Sequence, residues 1–561
     1  MIQIKHRWQK ITIGIIASIV VIVILLTIGG FFFLKPLVTK KIQQSILNAT
    51  DSLYAISFSN IRYNPSIGHI VVSDVHLIPD TTVYNQLHTS QKAPDDLYKV
   101  DIPTIRITGV FPLSLFTNKT LNLDKISLLN SKVTIIHKKR DYNEGLDDKE
   151  RKTLYQLLSK FVKTLRINKI SLSDVDFTYE NNQHTVTKKS LIQHLYIDVD
   201  DILIDSLSGQ SPERVYYAQD YTFTLKQIVL PDKNQLSDTK IKDIVFSLKK
   251  RVLTVNQVHI QPKYGEMAFG KASGGRDRTE VIFNDIVIKN IDRDKLFPDM
   301  KLYAHTLSLN GGIVKVFNDK RYPRKKRNKL GEYPHQLLRK LDFKLNIDTV
   351  LVNNVKVSYA EFDPDLKLTG EITFDRIKGE LLNVTNDTIP LQKTPICRAK
   401  FHTYFMNKGS LNVYFGLNTA SKKGDFTCEG QLSDFDGRAI NKITIALTKV
   451  DVKSLHVNKY TFKIKADDNL VTGTGLLLYD NLVANLLKED DEEGGKSLKK
   501  RALPSFLINS LVLKDSNPSK KNQLRTGTIN YKREPTKSFF GVIWSGLSQS
   551  LIQCVIGNKK D

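Results

Sequence analysis

The feature that most constrains this chain is an internal repeat with a spacing of about 180 residues. Three blocks recur in the same order, at separations of 183, 181 and 180 residues: 60–79 in 243–262, 105–116 in 286–297, and 155–180 in 335–360. Fixed-period similarity of this kind is typical of structural units that stack or lie side by side. The sequence therefore predicts two copies of one unit, at roughly 57–230 and 240–410.

The repeated blocks carry the alternation of β-strands. In 165–180 the apolar residues step by two, which places them on one face of a strand. The step lengthens to three at 167→170 and at 172→175. A β-bulge or tight turn at each slip would restore the apolar face, and Ser173–Asp174 and Asn353–Asn354 are suitable turn residues.

Each copy also predicts one short amphipathic helix. Its apolar residues are Leu154, Leu157, Leu158 and Phe161 in the first copy, and Leu337, Leu338 and Leu341 in the second. The sequence thus predicts a mainly β fold: a long, twisted, largely antiparallel repetitive sheet with a few amphipathic helices beside it.

The alternation leaves open how the apolar side of this sheet is covered. The sheet can close on itself as a sandwich, or the apolar side can line a groove that takes an apolar ligand. The candidate lining residues are the in-phase apolar positions of both copies: Ile61, Val72, Ile167, Leu172, Phe177, Tyr179, Val255, Ile347, Val352, Val357 and Tyr359.

The segment 11–34 has no charged residue over 24 positions, which is enough for a helix to cross a bilayer core. No small-residue cleavage site follows it, so the sequence predicts an uncleaved transmembrane anchor. A short tail, 1–10, would stay in the cytoplasm and the rest of the chain would lie across the membrane. Positions that sample the length of the anchor are Ile11, Ile16, Val21, Leu26 and Phe32.

The pattern changes after the second copy, where closely spaced hairpin strands are predicted, among them "ITIALTKVDV". The charged stretch 488–501 is typical of a surface loop. An uncharged helix follows near the end, and its predicted apolar face is Phe540, Ile543, Trp544, Leu547 and Leu551. Such a helix caps a sheet or lies on a membrane or partner. The predicted boundaries are 42–235 and 236–410 for the copies, 411–535 for a C-terminal β module and 536–557 for the helix.

The net charge of +25 is weak evidence for a polyanion partner, because lysine and arginine also lie on the solvated faces of strands. The predicted topology weakens nucleic-acid binding further. Cys397, Cys428 and Cys554 form no zinc motif, although a Cys397–Cys428 disulfide is compatible with an oxidising compartment.

No nucleotide-binding, hydrolase or zinc-protease motif occurs, so we expect no catalytic residue, metal or cofactor. His76 and His259 are equivalent repeat positions, which favours a structural role over catalysis. The aspartates between 198 and 205 suit the wet face of a strand better than a calcium or hydrolase site.

The anchor, the repeats and the terminal helix together resemble the AsmA-like proteins of the bacterial envelope. The strand motif of that family is similar to Leu165–Leu172 and Leu345–Val352, and its C-terminal part to 462–487 and 525–547. This resemblance implies a repeating β-groove, an inner-membrane anchor and a body in the periplasm. It also implies envelope maintenance through the movement or restraint of phospholipid, without enzymatic chemistry.

Two functions remain open from the sequence. In the first, the apolar face binds phospholipid acyl chains. In the second, a closed β core makes the protein a structural scaffold that acts through envelope protein partners.

Overall fold

The structure is a computed structural model of the 561-residue chain. It describes residues 39–40, 43–44, 46–48, 50–111, 117–138, 140, 142, 154–159, 162–182, 188–296, 301–322, 327–492, 495–500 and 513–556. The predicted tail 1–10 and anchor 11–34 lie outside these residues, so the anchor stays a prediction.

The described part of the chain is mainly β, as the alternation predicted, with strands over 58% of the described residues. It divides into two compact units: unit 1 is Met1–Leu230 with Ile241–Thr254, and unit 2 is Pro231–Lys240 with Val255–Asp561. The first copy lies in unit 1. From Val255 onward, the second copy shares unit 2 with the C-terminal strands, whereas Ile241–Thr254 of that copy belongs to unit 1.

Unit 1 begins with nine strands and two helices. The strands are β1 (Tyr54–Ser57), β2 (Asn60–Asn64), β3 (His69–Pro79), β4 (Asp96–Thr108), β5 (Thr120–Leu129), β6 (Lys132–His137), β7 (Thr164–Asn181), β8 (Lys188–Ile204) and β9 (Ala218–Pro231). The helices are α1 (Thr81–Thr89) and α2 (Leu154–Leu158), and a 3-10 turn covers Ser208–Gln210. Strand β10 (Ser237–Ser247) has residues in both units.

Unit 2 contains the strands β11 (Val252–Pro262, from Val255), β12 (Arg278–Ile291), β13 (Leu302–Asp319), β14 (Leu345–Asp363), β15 (Leu368–Thr385), β16 (Ile396–Phe405), β17 (Gly409–Asn418), β18 (Phe426–Asp436), β19 (Val450–Ala466), β20 (Leu470–Glu492), β21 (Gly495–Lys500) and β22 (Gly527–Lys532). Its helices are α3 (Glu266–Ser273), α4 (Arg293–Leu296), α5 (Pro334–Arg339), α6 (Thr388–Lys393), α7 (Asn441–Thr448) and α8 (Phe539–Ile556), with a 3-10 turn at Gly437–Ile440.

The two copies share one strand topology. Antiparallel pairing dominates, but β7 runs parallel to β5 and β6, and β14 runs parallel to β13. Parallel neighbours need a long crossover, which the segment containing α2 provides in the first copy and the segment containing α5 in the second. The amphipathic helices of the repeat therefore lie in the connections between parallel strands. Strand alternation could not indicate that these strands pair in parallel.

The predicted bulge at the second slip is confirmed in both copies. The register of β7 with β8 shifts between Leu172 and Phe177, and the register of β14 with β15 shifts between Val352 and Val357. At each shift one residue adopts the left-handed backbone conformation that a bulge requires.

Two hydrophobic cores stabilise the units. The core of unit 1 packs β3, β4, β5 and β7 around Ile107, Leu121 and Ile126, each fully buried, with Leu158 of α2 also inside. The core of unit 2 lies around the C-terminal strands and the terminal helix, where Tyr333 meets Phe426 and Phe539.

Three local predictions for the second half were wrong. "ITIALT", predicted as strand, forms α7, because Ala446 and its neighbours cover Gly370 on β15. In the stretch 488–501, predicted as a loop, the described residues 488–492 and 495–500 form a ribbon of β20 paired with β21. In α5 the residues buried are His335 and Gln336, with Tyr333 just before the helix, while Leu337 and Leu341 are exposed.

Candidate functional site

One face of the second copy carries an array of apolar side chains across four strands. The registers of β12, β13, β14 and β15 align six rows on this face: Ile291–Ala304–Ile347–Val384, Ile288–Leu307–Val350–Leu381, Ile286–Leu309–Val352–Gly379, Phe283–Gly312–Val355–Ile377, Val281–Val314–Val357–Phe374 and Thr279–Val316–Tyr359–Ile372. We call this array the apolar face of the second copy. It contains no charged residue.

Residues of positive φ on β12, β14 and β15 lie where the apolar positions of the face step by three instead of two. Strand alternation fails at every inserted residue, and a left-handed residue at the insertion restores it. These residues are Asp285, Asn290, Asn354, Arg376 and Asn383, with φ between 47° and 63°. Four of the five are Asp or Asn, which tolerate this conformation best among residues with a side chain.

Exposure distinguishes the second copy from the first. Leu307, Leu309 and Ile286 of the apolar face are half-buried. Their equivalents in the first copy, Ile126, Leu128 and Ile105, are 0%, 2% and 2% exposed. Neighbouring strands cover much of any side chain on a sheet, so partial exposure at these positions indicates that little packs above them, whereas Ile288, Val352 and Val355 of the same face are buried. One end of the face is closed, where Ile291 and Ile347 are buried.

The opposite face of the same strands carries charged residues in ion pairs, together with apolar residues such as Ile282 and Ile313. Lys356 lies 3.1 Å from Asp375, and the ring of His305 lies 3.0 Å from Asp348. At least one partner of each pair is substantially exposed to solvent, so each pair stabilises the sheet only modestly. The sheet of the second copy is therefore amphipathic, with solvent-facing charge on one side and half-exposed hydrocarbon on the other.

Tyr359 ends the apolar face with its one aromatic hydroxyl group. The side chain is 37% exposed, and its hydroxyl donates a 2.6 Å hydrogen bond to Glu361. Burial of the ring, together with the neighbouring carboxylate, raises the pKa of Tyr359 well above its ordinary value. The phenol therefore stays protonated, and the carboxylate of Glu361 marks the charged edge of the face.

The structure separates the predicted lining residues by copy. In the first copy, Val72 and Ile167 are buried inside the closed core, so their assignment to an open groove is corrected. Ile61 and Leu172 pack against the same core, and Phe177 and Tyr179 are half-buried. The ring of Tyr179 stacks on His137 with centroids 5.9 Å apart.

In the second copy the predicted positions fall on the apolar face, but they differ in access. Ile347 and Val352 are buried, Val357 is half-exposed and Tyr359 is exposed. Val255 is half-exposed on β11. Sequence reasoning missed the contributions of β12, β13 and β15, such as Val281, Val314, Phe374 and Leu381. The alternation of those strands carries the same signal and could have found them.

The predicted apolar face of the terminal helix is confirmed at Ile543, Leu547 and Leu551 and wrong at Phe540 and Trp544. Phe540 and Trp544 are 71% and 56% exposed, whereas Leu547 and Leu551 pack against the core of unit 2. The buried residues are Phe539, Val542, Ile543, Gly546, Ser550 and Cys554. By length and composition alone, this is the one helix in the described part of the chain that could cross a membrane, and a third of it is buried within the protein.

Small residues explain which side of the helix packs. Ser550 lies against Gly475 and Gly527, where a side chain on either glycine would overlap it, and its hydroxyl is 2.9 Å from that of Tyr460. Close approach to β20 and β22 thus selects Ser550 over the larger side chains. The sequence-level rule that the largest apolar residues face inward fails for this reason.

The cysteines are all free and buried, which corrects the suggested Cys397–Cys428 disulfide. The two residues lie on β16 and β18 with β17 between them. Burial raises the pKa of the Cys397 thiol to about 11 and that of Cys428 to about 12. Both thiols are therefore protonated and unreactive in the folded protein.

Other titratable groups form pairs between neighbouring strands. The rings of His76 and His259 contact Asp101 at 2.7 Å and Glu280 at 3.3 Å. Burial would raise the pKa of Asp198, but hydrogen bonds from Ser171 and Lys169 outweigh it and lower the pKa. Within the described residues, no group of three or more His, Cys, Asp or Glu could hold a metal ion.

Comparison with known proteins adds no family to this geometry. Neither the protein-family models nor the curated proteins contain a match to the chain.

Proposed function

We propose that this chain is an AsmA-like, membrane-anchored protein that binds the acyl chains of phospholipids along the apolar face of its second copy. The single observation that carries the proposal is the extent of that face: six aligned rows over four strands, without charge and partly exposed at most of their positions. A soluble surface of this size and composition needs an apolar ligand or partner.

The physical basis is the hydrophobic effect. Each methylene group that moves from water onto the face contributes about 0.8 kcal/mol. Four strands at about 4.8 Å spacing span about 15 Å, which accommodates more than one hydrocarbon chain side by side. Headgroups would stay in solvent, and no covalent step is needed, so we propose a non-enzymatic activity without a cofactor.

The proposed location follows from the uncharged segment 11–34. It would hold the chain in the inner membrane, with 1–10 in the cytoplasm and the repeats in the periplasm. A lipid-binding sheet so anchored would serve the maintenance of the envelope, together with protein partners there.

The test is site-specific photocrosslinking of the full-length protein in its own cells. Benzoylphenylalanine at Val314 or Val357 lies on the apolar face, and at Lys315 or Lys356 it lies on the opposite face of the same strands. We expect phospholipid adducts, detected by mass spectrometry, at the first two positions only. Equal yields on both faces, or no lipid adduct at all, would reject the proposal.

A structural scaffold is the second candidate, and the closed core of unit 1 favours it. There the equivalents of the apolar face are sealed inside protein, with Ile126 and Ile167 at 0% exposure. The same experiment distinguishes the two functions, because a scaffold would give protein adducts rather than lipid adducts at Val314 and Val357.

A further inference from the structure

A second surface in unit 2 lies where the strands of the apolar face meet their connecting loops. We call it the basic end, and it comprises α4, the segment 337–344 and the segment 386–393. The amide of Asn386 joins the last two: it donates to the carbonyl oxygens of Leu338 and Phe343, and accepts from the backbone nitrogen of Leu345. Asn386 is buried, so this junction is fixed.

Further bonds attach α4 and α6 to the same place. The backbone nitrogen of Lys301 donates to the carbonyl oxygen of Lys295, and that of Leu302 to Lys344. Asp387 caps α6 and accepts a 3.0 Å hydrogen bond from the hydroxyl of Tyr303. The loops of this end therefore form one ordered surface.

Large apolar side chains protrude from the basic end. Leu337, Leu341, Phe343 and Ile389 are between 40% and 62% exposed. One exposed leucine or isoleucine is ordinary on a soluble protein. Four of them on loops and short helices that are fixed to one another form a patch that marks an interaction site.

Cations surround these apolar side chains. The described residues of the three segments, with Lys301, carry Arg293, Lys295, Lys301, Arg339, Lys340, Lys344 and Lys393 against Asp292, Asp294, Asp342 and Asp387. Asp387 is buried and lies 3.7 Å from Lys301, and the carboxylate of Asp292 accepts from the backbone of Asp294 and Lys295. The surface that reaches solvent is thus basic.

We propose that the basic end docks on the surface of an anionic phospholipid bilayer. Aliphatic side chains that enter the acyl boundary, ringed by lysines that meet anionic headgroups, are the two components of interfacial membrane binding. Protein interfaces are depleted in lysine, and polyanion sites need no protruding leucine or isoleucine, so this combination favours a bilayer.

This inference goes beyond the proposed function, since docking does not require the apolar face to hold lipid. The row of the apolar face nearest to the basic end is the closed one, where Ile291 and Ile347 are buried. Strands β14 and β15 run directly from the basic end into the apolar face, with Leu345 and Thr385 at their ends.

The experiment uses the full-length protein in nanodiscs of phosphatidylcholine, mixed with labelled vesicles and separated by flotation. One set of vesicles contains phosphatidylglycerol with phosphatidylcholine, and the other contains phosphatidylcholine alone. We expect the protein to bind the anionic vesicles, with weaker binding as salt increases. Phe343→Ser with Ile389→Ser should abolish most binding, and Lys295→Gln with Lys393→Gln should reduce affinity about fivefold for each lysine.

Matched controls lie at other exposed positions of unit 2. Leu368→Ser with Leu470→Ser removes apolar groups of similar exposure, 39% and 41%, and Lys367→Gln with Lys408→Gln removes two exposed lysines. These variants should bind as the wild type does. The melting temperature of every variant should be unchanged. The proposal would be overturned if the Phe343/Ile389 variant then bound the anionic vesicles as well as the wild type does. It would also be overturned if wild-type nanodiscs bound no better than empty nanodiscs.

Failure of docking and failure of the lipid-binding face can be told apart. The vesicle assay reports on the basic end, whereas lipid adducts at Val314 and Val357 report on the apolar face. Adducts without vesicle binding would overturn only the docking proposal, and vesicle binding without adducts would overturn only the proposed function.

Discussion

Asp174 and Asn354 occupy the same position in the two copies, 180 residues apart, and both adopt the left-handed backbone conformation, with φ of 59° and 52°. Each absorbs one inserted residue in the strand that runs parallel to its neighbour. Without this inserted residue, the apolar residues that follow would lie on the opposite, solvent-exposed face of the sheet. The bulge is therefore part of what keeps one face apolar along the whole strand.

Replacing Asn354 tests the role of this conformation. Asn354→Ala should lower the free energy of unfolding of unit 2 by about 1 kcal/mol, because Ala is disfavoured at positive φ. Asn354→Gly should leave stability nearly unchanged, because glycine adopts this conformation readily. Urea denaturation of the two variants checks the difference, and an Ala variant as stable as the Gly variant would contradict it.

A charge at a buried position of the first copy and a charge at a half-exposed position of the second copy should have opposite consequences. Ile167→Glu buries a carboxylate in a closed core at 0% exposure and should destabilise unit 1 by several kcal/mol. Val357→Glu adds a carboxylate to a half-exposed face and should leave unit 2 folded while it removes lipid adducts at Val314. Limited proteolysis with mass spectrometry of the two variants measures both effects. Unfolding of unit 2 by Val357→Glu would show that the face is closed.

His335 should make unit 2 sensitive to acid. The side chain is buried beside the ring of Tyr333, and this burial lowers the pKa of His335 below its ordinary value near 6.5. Between the folded and the unfolded pKa, His335 is therefore protonated in the unfolded chain and neutral in the folded chain. The stability due to neutral His335 is therefore complete above about pH 6.5 and is lost as the pH falls toward the lower folded value.

Denaturation of the wild type and of His335→Gln between pH 7 and pH 5 checks this effect. The wild type should lose up to about 1.4 kcal/mol more per pH unit than the variant, which corresponds to one proton. Parallel pH profiles for the two proteins would show that His335 does not titrate in this range.

Two glycines near the terminal helix should respond differently to a methyl group. Gly527→Ala would place its new methyl group against the backbone of Ser550, so the helix must shift, and we expect a loss of about 1–3 kcal/mol. Gly541→Ala lies within the helix, with Ser538 Oγ at 3.2 Å as its nearest neighbour, and it should be neutral or slightly stabilising. Thermal melts distinguish the two, and similar losses would contradict the close packing at Gly527.

The sequence by itself determined the features that depend on local periodicity. Two copies of the unit, strands with one apolar face, and the bulge at Asp174 and Asn354 follow from alternation and from residues that accept positive φ. Each of these features is specified within a few residues of the chain, so no knowledge of distant partners is needed.

Only the tertiary structure decided what lies against each of these faces. It closed Ile126 inside unit 1 and left its equivalent Leu307 half-exposed. It also turned Ser550 rather than Trp544 toward the sheet, and it made a helix of the β-branched run that begins at Ile443. These outcomes depend on residues far away in the chain, because burial is a property of the surfaces that meet and not of the pattern along either one.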